Sequence, residues 1–130
     1  MKNNPMITHA VLVSLAVSLS LAGSLARAAG DPGAGALIFE EECSECHTYT
    51  GKNKKGPTLR GVIGRKAGSA AGYDDYSDAV KKSDLVWTPE AIDRYLTKPA
   101  KFSPSIKMKY EGLPSPKDRA DLIEFLKTKK

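Results

Sequence analysis

Cys43, Cys46 and His47 stand in the order Cys-x-x-Cys-His. Two thiols three positions apart on a helical turn can reach the two vinyl positions on one edge of a porphyrin. The adjacent imidazole can then swing beneath the ring and bind iron. The spacing reads as covalent haem attachment. Three other chemistries compete for it. A thioredoxin-like redox pair needs a strand–helix–strand setting, which the sequence does not offer. A zinc site needs about four ligands, and downstream of residue 28 the chain holds two cysteines and one histidine. A disulfide between Cys43 and Cys46 would close a tiny loop and constrain little of the unfolded chain.

The N-terminal segment decides how many ligands remain. Lys2 gives a short basic start, an apolar run extends from Ala10 to Leu25, and Ala26-Arg27-Ala28 forms a small-x-small site. That is the layout of a cleavable secretory signal. A retained anchor competes with it, but the run falls short of the roughly 20 apolar residues that span a bilayer. Residues 1–28 are therefore expected to be removed and residues 29–130 to form one domain, exported to a bacterial periplasm. His9, Met1 and Met6 leave with the signal, so His47 is the one remaining histidine and Met108 the one remaining methionine. Methionine is usually a core filler. Met108 instead lies in Ile106-Lys107-Met108-Lys109-Tyr110, an odd place for a core side chain. A His/Met pair is a known haem ligation that raises the reduction potential. Two protein ligands would leave no open position on the iron, which predicts reversible one-electron transfer and no catalytic residue.

The elements that must position these groups read as an all-α domain. A helical pattern runs from Ala34 to Cys46, with Leu37, Ile38 and Phe39 on one side. Residues 48–76 carry six glycines and read as loops and tight turns. A loop that long inside a small domain needs an organiser, and a cofactor would serve. Asp75 to Ser83 reads as a short helix. Thr88-Pro89-Glu90 opens another helix as cap, first-turn proline and first-turn acid, with Ile92, Tyr95 and Leu96 as its apolar face and Pro99 at its end. Residues 100–114 read as irregular. Ser115-Pro116-Lys117-Asp118 resembles a capping-box start for a last helix that buries Leu122, Ile123, Phe125 and Leu126. No strand alternation is evident.

These residues together resemble the class I monohaem cytochromes c, in the layout of bacterial cytochromes c2 and mitochondrial cytochrome c. The resemblance covers nearly all of residues 30–130: Gly35 and Phe39 before the haem motif, Gly56-Pro57-Thr58-Leu59, Gly61-Val62-Ile63-Gly64-Arg65, Gly72-Tyr73 and Met108. It implies a small fold of about four to five helices, with long loops wrapped around one haem c attached through Cys43 and Cys46. It implies His47 and Met108 as iron ligands and a Pro57 carbonyl that accepts a hydrogen bond from His47. Arg65, Tyr76 and Trp87 would surround the haem propionates, and Tyr95 would place its hydroxyl near the Met108 sulfur. Gly35 and Phe39 would pack against Leu122 and Phe125. Val80 and Ile106 depart from the family's usual Asn and Thr and remove polar groups from the pocket.

The implied role is a soluble electron carrier, and a monomer, working between redox protein partners. A membrane oxidase, a cytochrome complex, a dehydrogenase or a reaction centre would serve as partner. A haem enzyme or gas sensor with a labile Met108 is the alternative, as is a dedicated subunit of a periplasmic dehydrogenase. The formal charge of +5 is a poor guide to partners, because Lys2 and Arg27 leave with the signal and haem propionates add negative charge. No basic stripe or motif suggests nucleic acid. Lys52, Lys54, Lys55, Lys101, Lys107 and Lys109 supply some positive charge near the expected haem edge, but Glu40, Glu41 and Glu42 precede Cys43.

Overall fold

The computed structural model describes residues 29–102 and 105–130; the expected signal at 1–28 lies outside them. The chain begins with α1 (Pro32–Ile38), which runs directly into a wider π-helical turn over Phe39–Cys43. Then come α2 (Asp78–Lys81), α3 (Pro89–Thr97), α4 (Pro99–Phe102) and α5 (Pro116–Lys127). Among the described residues the one β-type pairing is an isolated antiparallel bridge between Lys66 and Val86.

Local chemistry explains where each helix starts. Asp31 caps α1 by accepting hydrogen bonds from the Gly33 and Ala34 amides at 2.7 and 3.3 Å, and Pro32 follows with φ already suited to a helix. The helix thus begins two residues before the expected Ala34. It also stops at Cys43 rather than Cys46, because the Ser44 amide reaches back five residues to Phe39. Ser77 caps α2 through the Val80 amide at 3.4 Å, so that helix is shorter than the expected 75–83. Thr88 and Ser115 cap α3 and α5 through the Ala91 and Asp118 amides, each at 3.2 Å. Lys98 is extended, as a residue before proline tends to be, and it separates α3 from α4. The stretch from 100 to 114, expected to be irregular, therefore begins with the end of a short helix.

The core joins the two ends of the chain. α1 lies so close to α5 that a Cβ on Gly35 would sit 2.8 Å from the Phe125 Cβ and inside the Asp121 carbonyl. Phe39 and Leu122 are each all but fully buried, and the Phe39, Tyr49 and Phe125 rings meet at 5.1 to 5.6 Å. Leu37, expected beside Phe39, is instead 73% exposed. Successive helical residues diverge by about 100°, so three in a row cannot share one face.

The glycine-rich segment is ordered by its own polar groups. The Asn53 amide group accepts from the Thr58 N–H at 2.9 Å and donates to the Ala71 carbonyl at 3.0 Å, spanning the loop. The Gly61 amide donates to the Lys129 carbonyl at 2.6 Å, and Gly64 and Arg65 pair with the backbone of Trp87. The segment from 105 to 115 docks at its far end. The Leu113 amide donates to the Leu96 carbonyl at 2.7 Å. The buried Arg119 guanidinium donates to the Leu113 and Pro114 carbonyls and to Asp93, all at 2.8 Å.

Asp121 fastens the start of the chain. Its carboxylate is buried on α5 and accepts from the Asp31 amide at 2.8 Å and from the Lys117 ammonium at 2.5 Å. These partners, the Lys117 hydrogen bond foremost, hold its carboxyl below the usual range. A depressed carboxyl stabilises the fold above its unfolded value of about 3.9, and that contribution is lost as pH falls through the lowered value. Asp121→Asn is thus expected to lower the denaturant midpoint at neutral pH. The gap from the parent protein should narrow as acid protonates the carboxyl, which denaturant titrations at neutral and at acid pH check.

Candidate functional site

The helices and loops enclose a cavity of about 560 Å³, within the range of sites that hold a cofactor-sized ligand. Its inner wall is apolar, with Leu59, Val62, Ile92, Leu96, Leu122 and Leu126. Cys43, Cys46, His47, Pro57, Arg65, Tyr76, Trp87, Tyr95 and Met108 all line it, as do Val80 and Ile106. Residues spread over more than half the chain are thus brought to one chamber.

Cys43 ends the π-helical turn, and the next turn returns on it. The Cys46 and His47 amides both donate to the Cys43 carbonyl, at 3.1 and 2.9 Å. This folds the histidine back under the cysteines. The His47 Nδ1 lies 2.7 Å from the Pro57 carbonyl. A carbonyl only accepts, so Nδ1 carries the proton and Nε2 keeps its lone pair. Gly56 holds the ring from its face: a Cβ there would lie 2.8 Å from Nδ1 and 2.9 Å from Nε2. The Gly56 amide is itself fixed by the Cys46 carbonyl at 2.8 Å. Burial, chiefly, pushes the imidazole below its ordinary pKa, with Arg65 adding to the effect and the Pro57 carbonyl opposing it. A neutral, oriented imidazole is the form that binds a metal.

Met108 comes from the other side. In Ile106-Lys107-Met108-Lys109-Tyr110 the odd-numbered lysines are exposed and the even-numbered residues are turned inward. The segment has no regular secondary structure, and its burial alternates at period two, which explains a methionine between two lysines. The Tyr95 hydroxyl donates to the Met108 Sδ at 3.0 Å. Burial raises the Tyr95 pKa well above a free phenol, so the donor keeps its proton. At the periphery the Arg65 guanidinium donates to the Arg60 and Thr58 carbonyls at 2.9 and 2.8 Å. Tyr76 accepts from the Ala70 amide at 3.1 Å, and the Trp87 and Tyr95 rings meet at 5.0 Å.

This donor set fits a haem and fits the competing chemistries poorly. Burial, with help from the Glu42 and Cys46 charges, pushes the Cys43 thiol up to about 12. A reactive redox cysteine needs the opposite shift. Among the described residues no cluster of three or more His, Cys, Asp or Glu side chains could hold a metal ion. Two thiols, one oriented imidazole, one thioether and a half-buried guanidinium around an apolar chamber match a large apolar ring that carries iron and carboxylates.

Three contributions were missing from the sequence reading. Gly56 supports the imidazole face. Tyr110 donates to the Glu42 carboxylate at 2.8 Å across 68 residues. Lys107 pairs with Asp75. The first could have been suspected from a glycine beside a proline. The two cross-chain pairs leave no local signature.

Comparison with known proteins agrees with this chemistry. The family profile for Cytochrome c matches residues 33–130. Cytochrome c2 of Rhodopila globiformis is 47% identical over 102 residues, spanning 78% of this chain and 95% of that protein. Cytochrome c of Arabidopsis thaliana is 46% identical over 99 residues, 75% of this chain and 88% of that one. Among solved structures, cytochrome cH from Methylobacterium extorquens matches with a TM-score of 0.72 and 46% identity, over 77% of this chain and 100% of that chain. The chain belongs to the cytochrome c family, and its cofactor is one covalently attached haem c.

Proposed function

We propose that this cytochrome is a diffusible one-electron carrier, with haem attached through Cys43 and Cys46 and iron held between His47 and Met108. The observation that carries this reading is the pairing of two oriented donors on one chamber: His47 held at Nδ1 by Pro57, and Met108 held at Sδ by Tyr95. When bound, the haem supplies a one-electron ferric/ferrous couple. The chain does the rest. Pro57 and Gly56 keep Nε2 aimed, Tyr95 holds the thioether in place, and Val80 and Ile106 help keep the chamber apolar. Two neutral ligands in an apolar pocket favour the less charged, reduced state. Arg65, Tyr76 and Trp87, which line the chamber, would receive the propionates. A site closed on both sides carries electrons and leaves no position for substrate, so the protein is read as a carrier and not an enzyme.

The same proposal puts the carrier in a bacterial periplasm after removal of residues 1–28. A cut after Ala28 falls just before Gly30, which already packs on the α5 backbone, so it spares the fold. Among the described residues no helix is long and apolar enough to cross a membrane.

The rim of the site suggests what kind of redox partner docks there. Lys55 pairs with Glu45 at 2.7 Å, Lys107 pairs with Asp75, and the Lys54 ammonium donates to the Ser44 carbonyl. Exposed pairs of this kind add little stability. The two carboxylate pairs offset the charge of Lys55 and Lys107, and Glu40, Glu41 and Glu42 add negative charge beside the attachment turn, which favours a docking face of low net charge.

Three measurements test these points. Ferric protein is expected to show the far-red sulfur-to-iron band, and ferrous protein to bind carbon monoxide slowly. Met108→Ala should abolish the band, lower the potential and speed carbon monoxide binding; an unchanged spectrum and rate would show an open site and favour the gas-sensor reading. Gly56→Ala should push the imidazole off the Pro57 carbonyl and reduce the yield of haem-loaded protein, read from the Soret-to-protein absorbance ratio. Electron exchange with its redox partner should change by less than about tenfold between low and physiological salt, the low end of electrostatic steering. A steeper fall would mean an acidic docking patch on the partner.

A further inference from the structure

Met108 sits on a segment with no regular hydrogen bonding of its own. The far end of that segment is tied down by Leu113 and Arg119. Around Met108 itself, two side chains reach across to other parts of the chain. Lys107 reaches Asp75, but both partners are more than half exposed, and such pairs contribute little. The Tyr110 hydroxyl reaches the Glu42 Oε2 at 2.8 Å. This bond differs in two respects. Its donor ring is turned inward and partly buried, where the Lys107 side chain is exposed, so water competes less for a bond that is also charge-assisted. Its anchor is also rigid, because Glu42 immediately precedes Cys43 in the π-helical turn that carries the haem attachment. All four residues line the cavity, and Glu42 is solvent-exposed, so the bond lies at the mouth.

We propose that Tyr110 and Glu42 form a clasp that holds the Met108 segment closed over the haem and so sets how readily an outside ligand replaces Met108. Both are positioning residues: neither touches iron, and each acts through the placement of Met108. This rests on the His47/Met108 ligation proposed above. An outside ligand enters only when the segment opens, so its binding reports the open population. Loss of a charge-assisted hydrogen bond at a partly exposed site should raise that population by roughly five- to tenfold.

The test is imidazole binding to the ferric holoprotein, followed at the Soret band by stopped flow. Tyr110→Phe keeps the ring and removes the donor, and is expected to bind imidazole about five to ten times faster than the parent. Glu42→Ala should match it. Glu42→Gln keeps a neutral acceptor and should recover part of the slow binding. The Tyr110→Phe/Glu42→Ala double variant should be no faster than either single one, the non-additivity expected of one shared contact. The denaturant midpoint of these variants should fall by no more than that five- to tenfold change represents, and a larger fall would mark general destabilisation. Imidazole binding at the parent rate in Tyr110→Phe, or additive effects in the double variant, would overturn the clasp. Met108→Ala separates the two readings. If it binds imidazole fast while Tyr110→Phe does not, the clasp alone fails. If Met108→Ala keeps the parent spectrum and rate, the ligation fails and takes the clasp with it.

Discussion

Gly35 has no side chain, so α1 can lie against the backbone of α5 at a distance that any other residue would prevent. Phe39 then reaches the Phe125 ring and becomes fully buried. That contact fixes the direction in which the helix leaves the core. The π-helical turn delivers Cys43 to the chamber wall, and the following turn folds His47 back beneath it. Asp121 closes the same contact from below by binding the Asp31 amide. The site is thus built on the junction of the two chain ends, a long-range contact between elements about 90 residues apart. A substitution that separated α1 from α5 would move the haem-attachment turn before it touched any group that meets the cofactor.

The two faces of the chamber are held by different physics. On the histidine side the restraint is local and stiff. Cys43, Cys46, His47, Gly56 and Pro57 are linked by short backbone and ring hydrogen bonds. On the methionine side the chain is irregular and carries no ladder of its own. It depends on tertiary partners: Leu96 and Arg119 at its end, Tyr95 at the sulfur, Asp75 and Glu42 at the mouth. Under the proposed ligation, this asymmetry favours opening on the methionine side. Ligand exchange should therefore report on that segment, while the attachment turn remains set.

The interior is low in polarity. Val80 and Ile106 line the chamber together with Tyr95. Apolar groups there cannot stabilise the more highly charged oxidised centre, and they leave the Tyr95 hydroxyl as a polar contact to the sulfur. At the surface the balance is different. Lys55 and Lys107 are matched by Glu45 and Asp75 within the chain, and Glu42 accepts from Tyr110. Part of the local charge is therefore offset internally before any partner arrives.

The chemistry was legible in the sequence because it is local or countable. Cys43, Cys46 and His47 are neighbours, and His47 and Met108 are the only residues of their kinds after residue 28. The caps at Thr88 and Ser115 and the buried faces of α3 and α5 follow from short-range rules, so those helices were readable as well. The alternation around Met108 was present too, but five residues in a loop do not resemble a strand. The Asp31 cap and Pro32 that start α1 are local signals too, whereas tertiary structure alone decided that the helix would widen at Phe39 and that Asn53 would order the glycine-rich loop. It alone brought Tyr110 to Glu42 and Lys107 to Asp75. Those contacts join residues 32 to 68 apart. Nothing in a single sequence ranks one distant pair above another until the backbone has placed them side by side.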